Sequence, residues 1–122
     1  MGTPLQEQTF LILTALAAEP LYGYGVIQRV RALSEDRVQL RPGTLYGALD
    51  RLVAEGRVAV EREEIVGGRL RRYYRLTDQG VALLDAEVAR LRHIAAVAER
   101  QLAGRRAPGP ATIRPANRPS PA

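Results

Sequence analysis

Arginine is the only basic residue type besides a lone histidine in this chain of 122 residues, and two segments place it where it could meet an anion. The first, RPGTLYGALDR, sets Arg41 ahead of Gly43, Thr44, Tyr46 and Gly47 and ends on Arg51. The second, GGRLRRYYR, carries Gly68, Arg69, Arg71, Arg72 and Arg75 around a pair of tyrosines. A guanidinium presents a planar fork of donors that matches a phosphate or the O6 and N7 edge of guanine. Glycine at a helix start lets backbone N–H groups approach an anion, which the helix dipole also favours. The chemistry on offer is recognition of a polyanion. Catalysis has little material: there is no cysteine, His93 is the single histidine, and Glu63-Glu64 has no enclosing pocket. The same poverty removes the ligand sets that zinc or iron need, so no cofactor is expected.

Gross charge is a weak guide. The formal charge of +5 comes from 18 basic and 13 acidic groups. Arg105, Arg106, Arg114 and Arg118 lie beyond residue 103, where there are no acids, which leaves 14 basic against 13 acidic groups before them. Placement decides more. Between Arg57 and Arg75, six arginines face three glutamates, and Arg69, Arg71 and Arg72 cluster together. The competing reading is a solvated ribbon in which Glu61, Glu63 and Glu64 pair with arginines across the strands. Arg51 could likewise form an ordinary surface pair with Asp50 or Glu55. No apolar run has the length of a membrane span, and no basic segment leads into an apolar one at the N-terminus. A cytoplasmic protein without a membrane partner is expected.

The elements that must position these residues follow from periodicity. Thr3-Pro4-Leu5-Gln6 reads as a capped start of a helix running to about Ala17, stopped by Glu19-Pro20. A second helix is predicted from near Leu21 to Ser34, although Gly23 and Gly25 each cost it roughly 1 kcal/mol against alanine. Their presence hints at close packing on another backbone, or at a loose first turn. Val38-Gln39-Leu40 suits a short strand. The third helix has Pro42 in its first turn and Gly56 past its end. Leu45, Leu49, Leu52 and Val53 gather on one side, with Gly43, Gly47, Asp50, Arg51 and Ala54 opposite and Thr44 and Tyr46 on the flanks.

Val58 to Glu63 and Arg71 to Leu76 alternate around Gly67-Gly68 and form a hairpin. Tyr22, Tyr24 and Tyr74 are expected in core or cap positions rather than at a ligand. Thr77 caps a long helix over 78–103, roughly 39 Å at about 1.5 Å per residue. Val81, Leu84, Val88, Leu91, Ala95, Ala98 and Leu102 make a heptad seam along it. A helix so long should outrun a small body, so the seam is expected to meet a second copy, helped by Phe10 and Leu13 of the first helix. His93 falls outside the seam and is expected in solvent. Residues 104–122 hold five of the eight prolines and should be disordered.

Helix, helix, short strand, helix, hairpin, long helix is the order of a winged helix-turn-helix, a mainly α (α+β) fold. Residues 1–77 make the winged-helix domain and 78–103 the C-terminal dimerisation helix. LYGYGVIQRV, RPGTLYGALDRLVAEGRV and GGRLRRYYRLTDQG, spread over about residues 10 to 92, resemble three successive blocks of the PadR family of bacterial regulators. The single long C-terminal helix resembles the family's short form, in which that helix dimerises the protein. The resemblance implies a homodimeric transcriptional repressor on an inverted-repeat DNA operator. Thr44, Tyr46 and their neighbours then lie at the DNA and Gly68 to Arg72 form the wing. A small-molecule effector near the dimer seam is also implied. Two positions depart from the family pattern: Gly47 stands where proline is frequent, and Arg41 where serine is. Gly47 removes a rigid spot beside the groove, and Arg41 adds a phosphate contact. The rival reading keeps the winged helix but gives its third helix a protein partner, which calls for an apolar or acidic exposed face.

Overall fold

The computed structural model describes residues 3–106. In chain order the elements are α1 (Glu7–Ala18), β1 (Leu21–Tyr22), α2 (Gly23–Leu33), α3 (Pro42–Ala54), β2 (Val58–Val66), β3 (Arg69–Leu76) and α4 (Asp78–Arg106). This is the winged helix with a long C-terminal helix. No helix of the described residues is long and apolar enough to cross a membrane.

Several boundaries differ from expectation for local reasons. α1 starts at Glu7 behind Gln6, which makes no side-chain cap, so the box anticipated at Thr3 does not form. The helix stops where Glu19, held extended ahead of Pro20, can no longer continue it. Leu21 and Tyr22 pair with Tyr74 and Tyr73 of β3, which delays α2 to Gly23. That pairing gives the sheet the order β1-β3-β2, and Val38-Gln39-Leu40, expected as a short strand, is not part of it. The segment is irregular backbone instead. It is anchored by Ser34, whose hydroxyl accepts the Val38 N–H at 2.9 Å, and Val38 and Leu40 are buried.

The hairpin is longer than the alternation suggested, because β2 continues to Val66 and β3 begins at Arg69. Gly67 and Gly68 turn it with φ of 56° and 77°, the left-handed pair that a two-residue hairpin loop requires. A register shift between Val60 and Arg62 leaves Glu61 as an extra residue in β2.

The core lies between the helices and the inner face of the sheet. Ile12, Leu13 and Leu16 of α1 meet Val26 and Val30 of α2, Leu45, Leu49 and Leu52 of α3, and Val58 and Tyr74 of the sheet. Each large apolar chain so enclosed is worth about 1.5–3 kcal/mol relative to exposure. Leu13 is fully buried here, so it is not available to a second copy as expected; it belongs to the stripe that binds α1 to its own domain. On α3, Ala48 rather than Val53 completes the buried side, and Val53 is exposed.

Thr77 caps α4 as anticipated. Its hydroxyl accepts the Gly80 N–H at 3.1 Å and donates to the Gly56 carbonyl at 2.6 Å. Gly80 is buried where a Cβ would collide with the Arg57 carbonyl, so the helix start seats directly on the end of β2. The chain divides into two compact units, Met1–Ala89 and Arg90–Ala122. In the first unit, Leu83 and Leu84 pack against the core, and buried Glu87 accepts the Leu5 N–H at 3.3 Å. Leu84, placed in a seam for a second copy, is therefore half-covered by its own domain, while Val88 is half-buried and Val81 exposed. In the second unit, residues 90–106 are helical, which carries α4 through Gly104, Arg105 and Arg106, anticipated as the start of a disordered tail. Residues 107–122 of that expected tail lie outside the described residues. Leu91, Ala95, Ala98 and Leu102 are exposed, and so are Ile94 and Val97, which the heptad seam omitted.

Candidate nucleic-acid interface

The burial of Leu45, Ala48, Leu49 and Leu52 fixes which side of α3 faces outward. At about 100° per residue, Gly43, Gly47, Asp50 and Ala54 lie opposite that buried stripe, and all four are exposed. A Cβ added at Gly43 or Gly47 would meet nothing within 4 Å, so packing does not require glycine at either position. Their effect is to keep the outward face of the helix low, so that another surface can approach its backbone. Thr44 and Arg51, seven residues apart, share one flank, and Tyr46 occupies the other. Arg51 is exposed and makes no ion pair among the described residues, so pairing with Asp50 or Glu55 is not realised. It borders a depression of about 320 Å³ shared with Gln6, Thr9 and Glu55.

Tyr46 is held by α2. A Cβ on Gly23 would collide with its hydroxyl and lie 2.6 Å from its Cζ, so only glycine lets the ring close on the α2 backbone. That contact accounts for a residue which otherwise weakens α2. Gly25, whose added Cβ would meet Tyr22 no closer than 3.5 Å, is under no such demand. The other side of Tyr46 opens on a groove of about 340 Å³ lined also by Tyr22, Tyr24, Arg69, Leu70 and Arg71. The groove joins the third helix to the wing. Tyr24, expected in a core or cap position, is 57% exposed here. Tyr22 is half-buried, with its ring 5.5 Å from that of Tyr73. Arg71 lies 4.4 Å over Tyr22, and Arg62 lies 4.0 Å over Tyr73. The place of Tyr22 was missed because the two-residue strand that carries it is too short for alternation to reveal.

The wing separates its arginines into two groups. Arg62 pairs with Glu64 at 3.3 Å, Arg72 with Glu63 at 2.8 Å and Arg75 with Glu61 at 3.1 Å. For Arg72 and Arg75 the solvated-ribbon reading holds, since their glutamates lie across the hairpin on β2, whereas Arg62 and Glu64 pair along β2 itself. Arg72, expected at the DNA, already has a carboxylate, and its hydrogen bond with Glu63 pushes its pKa above the ordinary arginine value. Among the described residues, Arg69 and Arg71 have no carboxylate partner, and neither does Arg41 ahead of α3. Gly68 and Arg69, at the turn itself, are exposed. Arg41, Arg51, Arg69 and Arg71 lie around the outward side of α3 and along the groove beside it; the other winged-helix arginine without a carboxylate among the described residues, Arg57, is half-buried ahead of β2, and its Nε is buried with no hydrogen-bond partner. Elsewhere in the domain, Arg37 donates to both carboxylate oxygens of Glu7 at 3.1 and 2.7 Å. The pair ties α1 to the segment that leads into Arg41. Its hydrogen bond holds the Glu7 carboxyl below the usual carboxylate range.

Residues 12–86 match the transcriptional regulator PadR-like family. The chain belongs to the PadR family. It is therefore a transcriptional regulator by family, as the blocks of sequence implied. It is similar to transcriptional regulator Rv3488 of Mycobacterium tuberculosis, 41% identical over 63 residues that cover 52% of this chain and 58% of that one. The segments shared with its curated relatives span between 22% and 69% of their lengths. A PadR family regulator from Clostridium difficile R20291 has a similar structure, with TM-score 0.64 and 26% identity over 77% of this chain and 96% of that one. Bacillus subtilis PadR, solved in complex with operator DNA, is similar in fold, with TM-score 0.61 and 24% identity over 68% of this chain and 47% of that one.

Proposed function

We propose that this PadR-family regulator is a cytoplasmic repressor that binds an inverted-repeat operator in double-stranded DNA as a homodimer. One observation carries the DNA partner: three wing arginines are neutralised by glutamates, while Arg69 and Arg71 remain uncompensated beside the low outward face of α3. Gly43, Thr44 and Gly47 bring that face to the base edges of a major groove, and Arg51 reads a guanine from its flank. Arg41, Tyr46, Gly68, Arg69 and Arg71 hold the backbone, and Arg72 joins them by exchanging Glu63 for a phosphate. The solved operator complex of Bacillus subtilis PadR, a protein of the same fold, supports this reading.

The second copy is called for by α4. Leu91, Ile94, Ala95, Ala98 and Leu102 form a stripe at helical spacing, and its large members are 41–48% exposed. Pairing that stripe with its own image makes the dimer, and an inverted repeat read in successive major grooves asks for two recognition helices about 34 Å apart, one turn of B-form DNA. Ala95 and Ala98 leave room between the paired helices for a small-molecule effector that releases the DNA. Occupancy of a promoter then blocks transcription.

A gel-shift series in rising salt tests the DNA partner. Binding to a random duplex should be detectable in dilute buffer and fall steeply, with a slope of about −0.9 per phosphate neutralised. No shift at low salt would give the third helix to a protein partner instead.

A further inference from the structure

α4 has 29 residues, and only two of them are buried, Gly80 and Glu87. They stand seven residues apart, about two turns of helix, and so lie on one line along it. Each rests on a different part of the winged helix. Gly80 sits where a Cβ would collide with the Arg57 carbonyl. Thr77 locks that seat: its hydroxyl accepts the Gly80 N–H and donates to the Gly56 carbonyl, and its own N–H donates to the Arg57 carbonyl at 3.1 Å. The Arg57 N–H in turn donates to the Leu52 carbonyl at 2.9 Å, so the seat is an extension of α3. Glu87 has the second seat, where its carboxylate accepts the Leu5 N–H just ahead of α1. Between the two, Leu83 and Leu84 lean on the core. An apolar side chain in place of Glu87 would avoid the desolvation that a carboxylate costs. The carboxylate supplies what an apolar chain lacks, a bond with direction.

Two fixed points give a rod its direction. At about 1.5 Å per residue the seats are about 10 Å apart, and Leu102 lies about 22 Å beyond the second. With Gly80 as pivot, a shift of about 1 Å at Glu87 grows to about 3 Å at Leu102, close to the rise of about 3.4 Å that one base pair adds. The stripe called on for pairing lies on this outer stretch of the helix. Play at either seat therefore changes how far apart two paired copies hold their α3 helices. We propose that Glu87 and the Thr77–Gly80 seat are positioning residues that set the spacing of half-sites the dimer accepts. They act through the direction of α4 and need no contact with DNA. This rests on the reading of the chain as a DNA-binding homodimer, and adds to it a determinant of which inverted repeats are bound. A base pair inserted between half-sites also turns the second by about 35° around the duplex, so a firmly held α4 rejects it.

The test uses the full chain and an inverted repeat enriched by it from a random-sequence pool. Duplexes are then made with one base pair added or removed between the half-sites, alongside one that keeps a single half-site. Wild type should lose about a hundredfold on either altered spacing, falling to its single-half-site affinity because the second contact is out of reach. Glu87→Ala and Thr77→Val should bind the single half-site as wild type does, yet lose less than about tenfold on the altered spacings. Thr77→Ser, which keeps the hydroxyl, should be as strict as wild type. Thr77 is half-exposed, so its variants keep the comparison intact should Glu87→Ala fail to fold in a thermal melt. Variants as strict as wild type, or weakened equally on every duplex, overturn the positioning role and leave the seats to stability alone. A wild-type protein that tolerates the altered spacings overturns it as well. Enrichment of lone half-sites would instead refute the homodimer, and enrichment of no duplex in dilute buffer would refute DNA binding itself.

Discussion

The base and the tip of one hairpin are built from the same two strands and treat their side chains in opposite ways. At the base, Val58 and Tyr74 are buried, and higher up Glu61, Glu63 and Glu64 each hold an arginine. At the tip, Ile65 and Leu70 face water, and Arg69 and Arg71 find no acid among the described residues. Composition alone would treat the ribbon as uniformly basic. Pairing shows that its lower arginines are occupied within the fold and that its upper residues have no internal carboxylate. Folding satisfies the first group and leaves the second for something else.

The largest expected effect breaks the comparison at the base. Tyr74→Ala should destabilise the protein by about 3–5 kcal/mol, because a buried aromatic leaves a cavity that its neighbours fill only in part. Leu70→Ala, four residues away, should change stability by about 0.5 kcal/mol or less, since it removes an exposed chain. Thermal or urea melts of the two variants check the contrast, and a similar loss in both would mean that the tip is packed.

The next prediction extends the contrast to α4. Leu91→Glu with Leu102→Glu should give monomers by sedimentation without lowering the melting temperature of the winged helix. With the second half-site no longer engaged, affinity for a two-fold operator should fall about a hundredfold. An intact dimer would refute the distal stripe as the interface. Leu84 is unsuited to this test because it packs on its own core.

The smallest effect concerns acid. The carboxyl of Glu7 has a folded pKa below its unfolded one, so its pair with Arg37 stabilises the fold at neutral pH. That contribution is fully present above the unfolded carboxylate value and is lost as pH falls through the lowered folded value. Glu7→Gln should therefore flatten the acid limb of a stability–pH curve slightly and leave the curve unchanged in shape above it. An acid limb identical to wild type would show that the pair contributes nothing in solution.

The fold was legible in the sequence wherever burial repeats at a regular period. Leu45, Leu49 and Leu52 announced the inner side of α3, and alternation around Gly67-Gly68 announced the hairpin. The Thr77 cap was readable because a hydroxyl ahead of an acidic first turn is a local signal. Tertiary partners were not readable in the same way. β1 has two residues and is defined by its pairing with β3, while Val38-Gln39-Leu40, with a strand-like pattern, is held by Ser34 instead of a ladder. Leu13 could not be assigned inward from its spacing, since α1 is apolar around most of its circumference and several of its faces could have met the core. Which arginine meets which glutamate depended on the extra residue at Glu61, and a register shift leaves no mark in composition.

The central claim is that unpaired arginines, and not the ribbon's arginines at large, engage DNA. Affinity for a random duplex across a salt series, measured for Arg69→Ala/Arg71→Ala and for Arg62→Ala/Arg75→Ala, tests it directly. The first variant should bind more weakly and show a shallower salt slope, by about one for each phosphate no longer neutralised, while the second stays close to wild type. Equal weakening in the two variants, or weakening confined to the second, would contradict it.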